Sequence, residues 1–418
     1  MNSFISIHHP TKKLNGTIAL PGSKSESNRV FILDALSHKQ STLFNLSTAE
    51  DTRILKEALL SNEEEINIKN AGTAMRFLTA YYTARKQNKI VSGDARMLER
   101  PIKPLVEALI QMGANIEYLD KEGFPPIKIN GSLSTLNKKE INIPANISSQ
   151  FISAILMIAP TLPEGIILKM EGKIASIPYI QMTLQIMEAF GIKSTFKKNT
   201  ITIRPQNYLP TIYHVESDWS SASYWYSILA LSYDNSAIFL EGLKRKSMQG
   251  DAIIKEIFEP FGIITEHSDN GIFITKTQAD LSGIPDYYDF TDYPDLAQTI
   301  IVLCAALGIK CGFTGLESLK IKETDRVQAL QNELKKFNVQ LIEESEGIYV
   351  LKGKFKPTST IIETYEDHRM AMAFAPYALI CDEIKIENPD CVKKSYPGFF
   401  NDLEQVGFLV KEERREND

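Results

Sequence analysis

The sequence predicts an α/β protein of two domains, each made of three repeats with apolar helices inside and sheets outside. The first observation behind this is a period. Six short segments open an apolar run with small or polar residues: Ser27-Asn28-Arg29, Thr73-Ala74-Met75-Arg76, Ser149-Gln150-Phe151, Ser221-Ala222-Ser223, Asp295-Leu296-Ala297 and His368-Arg369-Met370. Counted from the first residue of each, the spacings are 46, 76, 72, 74 and 73, and a fixed period means one supersecondary unit used repeatedly. The second is that the runs after these openings, such as 151–159, lack a polar face, and such helices are buried. The third is length: 418 residues exceed one core and suit two domains of about 200 residues each.

The elements follow in chain order. Residues 5–21 read as a strand or hairpin leading into Pro21-Gly22. Repeats one to three occupy 22–215, and repeats four to six occupy 216–418 together with 1–21. The junctions are tight hinges near Pro21-Gly22 and residues 214–217, with the N-terminal strand returning to the C-terminal half. Strands show period-two alternation, as in Ile166-Ile167-Leu168-Lys169-Met170 and Gly271-Ile272-Phe273-Ile274. Most repeats end a second helix at a glycine: Met112-Gly113, Phe190-Gly191, Phe261-Gly262 and Val406-Gly407. The first repeat is short, and residues 59–70 leave little room for a terminal hairpin, so an edge element is expected to be missing there.

Bulk properties narrow the function. A net charge of −6, with 43% hydrophobic and 23% charged residues, fits a soluble globular chain and argues against nucleic acid as the main partner. The tail 411–415 reads as a solvated end. Cys304, Cys311, Cys381 and Cys391 form no CxxC pair and no zinc spacing, which reads as reduced thiols in an intracellular protein. No basic leader is seen at the N-terminus, and no apolar run reaches the roughly 20 residues of a membrane span.

Each repeat begins at a helix N-terminus, where unpaired N–H groups and the helix dipole favour anions. The strongest local signal is Leu20-Pro-Gly-Ser-Lys24-Ser25-Glu-Ser-Asn-Arg29: a turn, a lysine, three serines and an arginine, without Walker A spacing. Lys24 offers a point charge and Arg29 a fork for carboxylate. Asn70-Ala-Gly72-Thr-Ala-Met-Arg76 is a second small-residue turn, where Gly72 lets backbone approach a ligand. Arg96 and Arg100 flank Glu99 before Pro101; they bind an anion or pair with that glutamate. Ser148, Ser149 and Gln150 bring three hydrogen-bonding side chains to a helix start that needs one cap. Ser176 and Tyr179 flank Pro178 in what is otherwise a turn. Asp295 is either an N-cap or a general base raised by apolar neighbours. In Lys322-Glu323-Thr-Asp-Arg326, helical spacing puts Lys322 and Arg326 on one face, with Glu323 turned away, unless the run is simply a solvated face. Asp367-His368-Arg369 gathers an acid, an imidazole and a guanidinium at a buried helix start, and Lys393-Lys394 adds late positive charge.

Taken together, LPGSKSxSNR, NAGTAMR, RMxERP, SSQF, PYI, SSASY, SMQGD, PD, KETDR and DHRMAM occur in one order from Leu20 to Pro397. In these motifs the chain resembles the 5-enolpyruvylshikimate-3-phosphate (EPSP) synthase family, among the enolpyruvyl transferases. The resemblance implies a two-domain inverse α/β barrel of six βαβαββ-like repeats, three per domain, with the first shortened. It implies transfer of the enolpyruvyl group of phosphoenolpyruvate to the 5-hydroxyl of shikimate 3-phosphate by addition and elimination, with phosphate released and no metal or organic cofactor. It also implies a residue assignment. Ser148, Ser149 and Ser176 would hold the shikimate phosphate, Ser25 and Arg29 its carboxylate. Tyr179 would lie beside the ring, while Asp295 and Lys322 would bind hydroxyls. Gln150 would touch both substrates. Lys24, Gly72, Arg100 and Lys394 would hold the phosphate of phosphoenolpyruvate, and Arg326 and Arg369 its carboxylate. Asp295 would be the base for the 5-hydroxyl. Glu323, with Lys24, would protonate the methylene carbon, and His368 would support it. The expected partners are these two small molecules, with no nucleic acid and no membrane, for a monomer in the cytoplasm.

Two positions depart from the family pattern. Phe77 stands where the family commonly has proline, which should alter how its helix packs. Ser318 stands where many members have an asparagine at the shikimate phosphate. Two rivals are weighed. The related UDP-N-acetylglucosamine enolpyruvyl transferases have asparagine after the first lysine and a reactive loop cysteine; here Ser25 follows Lys24 and no cysteine precedes Cys304. A catalytically inactive ligand-binding paralogue is countered by the presence of Lys24, Asp295, Glu323, His368 and Arg369 together.

Overall fold

The computed structural model describes residues 3–37, 40–133, 139–146 and 148–414. The chain divides into two compact units. Residues 23–215 form a central unit; residues 1–22 and 216–418 form a terminal unit.

In the central unit, two four-stranded sheets share one plan. One runs Glu65–Asn67, Lys89–Ser92, Ile127–Leu133, Ala114–Tyr118, and the other Ser194–Lys197, Thr200–Ile203, Ile166–Glu171, Glu140–Pro144. Within the first sheet, Glu65–Asn67 and Lys89–Ser92 are parallel and the remaining pairs antiparallel. That is a βαβαββ unit: one helix crosses between the parallel strands, a second leads to a hairpin, and the hairpin's return strand slots in beside the second strand. Alternate residues such as Ile166, Leu168 and Met170 are buried while Lys169 and Glu171 are exposed. One face of the sheet therefore meets helices and the other meets solvent. The helices Gly72–Ala84 and Ser149–Ile158 are buried nearly all round, as expected where no polar face exists. The first repeat has only a two-stranded parallel sheet among the described residues, Thr42–Phe44 with Ile212–His214. This matches the expected missing edge element.

In the terminal unit all three sheets have four strands, around helices Trp219–Leu231, Ala297–Leu307 and His368–Phe374. Residues 5–21 do not form a hairpin, contrary to one reading of the sequence. Ser3–His8 lies between Ile384–Glu387 and Leu409–Arg414 in one sheet, antiparallel to both. Asn15–Ala19 joins another, parallel to Ala237–Glu241. Two open sheets each take one N-terminal strand, so the segment's apolar residues are buried by neighbours distant in sequence. The tail is solvated at Lys411 and Glu412, as expected, but it is also ordered: Leu409–Arg414 is a strand, and Glu413 pairs with Lys385 at 2.7 Å. Its outward charges hid a backbone that closes a sheet edge. Arg415 lies outside the described residues. Gly22 bridges Ser217, and the Asp218 amide donates to the Pro21 carbonyl at 2.9 Å, so both chain crossings are tied together within this unit. No described helix is long and apolar enough to cross a membrane.

Candidate active site

In the central unit the first helix, Lys24–Ser37, starts after the Pro21-Gly22 turn, and the Ser23 hydroxyl accepts from the Glu26 amide at 3.4 Å. That fixes Lys24 in the first turn, where its ammonium meets Asp51 at 3.1 Å, both side chains largely buried. Arg29 is 2% exposed and held by neutral groups. Nε donates to Thr183 Oγ1 at 2.7 Å, Nη1 to the Ser25 carbonyl at 2.7 Å, and Nη2 to Ser153 Oγ at 3.2 Å and the Tyr179 carbonyl at 3.4 Å. Burial pulls its pKa down to about 10, outweighing the upward pull of Tyr179 and Glu26. Phe77 is buried, and its ring lies 5.4 Å from the Arg29 guanidinium. Phe77 thus gives this arginine an aromatic neighbour.

Gly72 opens its helix with the Arg100 guanidinium against it. A Cβ there would stand 2.4 Å from Arg100 Nη2, so only glycine lets that cation lie on the helix start. Arg100 also donates to the Asn70 carbonyl at 3.3 Å and its side-chain oxygen at 3.2 Å. Arg76 staples the same turn, donating to the Gly72 carbonyl at 3.1 Å and the Pro101 carbonyl at 2.8 Å. Gln150 reaches the turn too, through Nε2 to Thr73 Oγ1 at 3.3 Å. Ser148 caps the helix Ser149–Ile158 by accepting from the Gln150 amide, and Ser149 beside it is buried. Ser176 precedes the helix Ile177–Ala189 with φ 56°. A serine held in the left-handed region costs of order 1 kcal/mol or more, and such residues cluster at ligand clamps. Arg96 takes the bland alternative, an exposed pair with Glu99 at 2.9 Å.

The terminal unit holds a different chemistry. Arg326 is 1% exposed and meets three carboxylates: Asp367 through Nε at 2.7 Å, Glu323 through Nη2 at 2.9 Å, and Asp295 through Nη1 at 3.6 Å. Burial alone would lower its pKa; Asp367 and Glu323 more than reverse that. Asp295 Oδ2 meets Arg369 Nη2 at 2.6 Å, and Arg369 Nη1 donates to Tyr224 Oη at 3.2 Å. Burial raises the Tyr224 phenol to about 12, so it stays neutral. Asp367 caps the helix His368–Phe374 by accepting from the Arg369 amide at 2.9 Å, with His368 Nδ1 at 3.7 Å. Lys394 stands 3.9 Å from the other Glu323 oxygen. Ser318 lies on the short helix Glu317–Ile321 and Lys322 just beyond it, both half-buried.

The chain was compared with known proteins. The model of the EPSP synthase (3-phosphoshikimate 1-carboxyvinyltransferase) family matches residues 8–61 and 56–403. A 3-phosphoshikimate 1-carboxyvinyltransferase of Bacteroides fragilis (strain YCH46) is 46% identical over 402 residues, covering 96% of this chain and 97% of that one. One from Blochmanniella pennsylvanica is 36% identical over 443 residues, 98% and 100% of the two chains. The chain belongs to the EPSP synthase family. The EPSP synthase structure from Acinetobacter baumannii superposes with a TM-score of 0.78 over 99% of this chain and 100% of that one; at 22% identity it speaks for the fold alone.

The central unit carries Lys24, Ser25, Arg29, Gly72, Ser148, Ser149, Gln150, Ser176 and Tyr179 in or just before the first two turns of their helices, and Arg100 in a loop against Gly72. The terminal unit gathers Asp295, Glu323, Arg326, His368, Arg369 and Lys394. Three expectations change. Lys322 is not helical: its ψ is −153°, and the helix begins at Arg326 because Asp325 caps it by accepting from the Gln328 amide at 3.0 Å. Glu323 is not turned away but shares the Arg326 guanidinium. Asp295 sits among arginines rather than apolar neighbours alone. The sequence reading missed Asp51, Thr183, Ser153, Tyr224 and Asp251. Asp251 was present in the SMQGD motif, but its buried bond from Ser220 at 2.5 Å depends on a fold contact no local pattern encodes.

Proposed function

We propose that the chain transfers the enolpyruvyl group of phosphoenolpyruvate to the 5-hydroxyl of shikimate 3-phosphate, with Asp295 and Glu323 moving the protons. The observation that supports these roles is that a single guanidinium, Arg326, meets both carboxylates, at 3.6 and 2.9 Å. Protonating a vinyl carbon while deprotonating a hydroxyl requires an acid and a base held in fixed relation.

In the addition, Asp295 takes the 5-hydroxyl proton, the oxygen bonds to C2 of phosphoenolpyruvate, and protonated Glu323 delivers its proton to C3. In the elimination, Glu323 recovers a proton from the new methyl group, the C2–O bond to phosphate breaks, and Asp295 returns its proton to the departing phosphate. Both carboxylates end as they began. His368, packed against Asp367, supports the Glu323 side, and Lys24 assists it. Arg326 and Arg369 take the phosphoenolpyruvate carboxylate, a fork-on-fork geometry suited to guanidinium. Lys24, Gly72, Arg100 and Lys394 take its phosphate. Ser148, Ser149 and Ser176 take the shikimate phosphate, Ser25 and Arg29 its carboxylate; Tyr179, Lys322, Ser318 and Gln150 complete the contacts. Both substrates are multiply anionic, so a chain of net charge −6 must concentrate its cations where they bind.

The deciding experiment is phosphate release from purified protein with both substrates, omitting each in turn. Release that requires both is expected. No release while both ligands bind by calorimetry would overturn the activity.

A further inference from the structure

The helix Ala297–Leu307 is apolar and buried, apart from a glutamine in its first turn. Gln298 is 0% exposed, and neither its amide nitrogen nor its carbonyl oxygen has a hydrogen-bond partner among the described residues. An unpaired buried amide is costly, and one retained in a core calls for an explanation. An apolar side chain of the same length would pack there without that cost. Thr299, its neighbour, is by contrast used, facing Ser223 Oγ at 3.2 Å.

Gln298 lies in the first turn of the helix that Asp295 precedes by two residues, three positions after it in the chain. Asp295-Leu-Ala-Gln298 has the sequence spacing of a capping box, but the helix starts one residue later than that would need, with Leu296 at the N-cap. That local arrangement is not made. The Asp295 carboxylate goes instead to Arg369 at 2.6 Å and Arg326 at 3.6 Å. Helical side chains lean toward the N-terminus, the direction in which Asp295 precedes the helix. Tyr224, which is neutral, and Asp251, whose charge would repel it, also face Asp295.

We propose that Gln298 is a positioning residue for Asp295, its amide N–H donating to the Asp295 carboxylate once the arginines turn to a substrate carboxylate. This rests on the reading of Asp295 as the base. Arg369 and Arg326 are the groups assigned to phosphoenolpyruvate, and a guanidinium engaged by a substrate carboxylate holds Asp295 less firmly. A donor in the first turn of the helix that follows Asp295 then keeps the base ionised and aimed without competing for the substrate.

The test is Gln298→Met, an apolar side chain of similar length, with Gln298→Leu as a second variant and Asp295→Asn in parallel. In Gln298→Met, kcat should fall about tenfold, well below the 10²–10⁴ a general base contributes, with both KM values within twofold. The acid limb of the kcat profile should move to higher pH, because a carboxylate that loses a donor is protonated more easily. Melting temperature should hold or rise. Unchanged kcat and pH profile in either folded variant would overturn the proposal and leave Gln298 a tolerated core amide. Failure of both variants to fold would also overturn it, by making Gln298 a structural residue. Substantial turnover in Asp295→Asn would instead overturn the base assignment itself, whatever Gln298 does.

Discussion

The two units bury their arginines in different company, although the central unit also holds a largely buried cation–carboxylate pair, Lys24 with Asp51. In the central unit, Arg29 is buried among hydroxyls, carbonyls and the Phe77 ring, and Arg100 rests on Gly72 and Asn70. In the terminal unit, Arg326 and Arg369 are buried among Asp295, Glu323 and Asp367. A cation surrounded by neutral partners gains from an anion brought to it; a cation among carboxylates mainly fixes those carboxylates in place. Under the proposed roles, the first arrangement serves anion binding, while in the second Arg326 and Arg369 both fix the proton-transferring carboxylates and receive the phosphoenolpyruvate carboxylate.

Asp295→Asn should have the largest effect. It keeps the shape and removes the base, so kcat should drop by about 10²–10⁴ while KM for either substrate shifts far less, since the group acts in the transition state. Steady-state kinetics decide it; a loss confined to KM would move Asp295 into the binding class and erase the contrast. Arg29→Ala comes next. Shikimate 3-phosphate binding by calorimetry should weaken by about 1.5–3 kcal/mol, the range for a charged hydrogen bond. Because Thr183 and Ser153 lose their buried partner as well, the melting temperature should fall too. An unchanged dissociation constant with a lowered melting temperature would make Arg29 purely structural. Gly72→Ala should be milder: the new Cβ displaces the Arg100 guanidinium, raising KM for phosphoenolpyruvate by the equivalent of about 1.5 kcal/mol, the lower end of that range, with kcat nearly intact.

The contrast was only partly legible in the sequence. The repeats could be read because apolar periodicity is local and burial enforces it, and motif residues such as Gly72 and Ser148 could be read because helix starts have local chemistry. What could not be read was pairing across the fold. Asp51 sits 27 residues from Lys24, and Thr183 sits 154 residues from Arg29; nothing in either neighbourhood marks the other. Spacing also misled where it assumed a helix. Lys322 and Arg326 share a helical face only if the helix starts early, and Asp325 prevents that by capping one residue before Arg326. The N-terminal strand Ser3–His8 was visible as a strand, but its place between two C-terminal strands is a property of sheet closure rather than of those six residues.

The smallest effect concerns Asp251, which shows how far the terminal unit's crowding of acids extends. It is 3% exposed, accepts from Ser220, and is pushed up in pKa by burial first and then by the charge of Asp295. A carboxyl that holds its proton more tightly folded than unfolded adds stability below its unfolded pKa of about 3.9, and that contribution is lost as pH rises through the higher folded value. Asp251→Asn cannot ionise and keeps the polar contact to Ser220. Thermal melts of both proteins from pH 4 to 8 should therefore show a gap that widens in the variant's favour as pH rises. A gap constant across that range would mean Asp251 titrates alike folded and unfolded. The acids of the terminal unit would then be spaced widely enough to ionise independently, and the contrast with the central unit would narrow to the arginines alone.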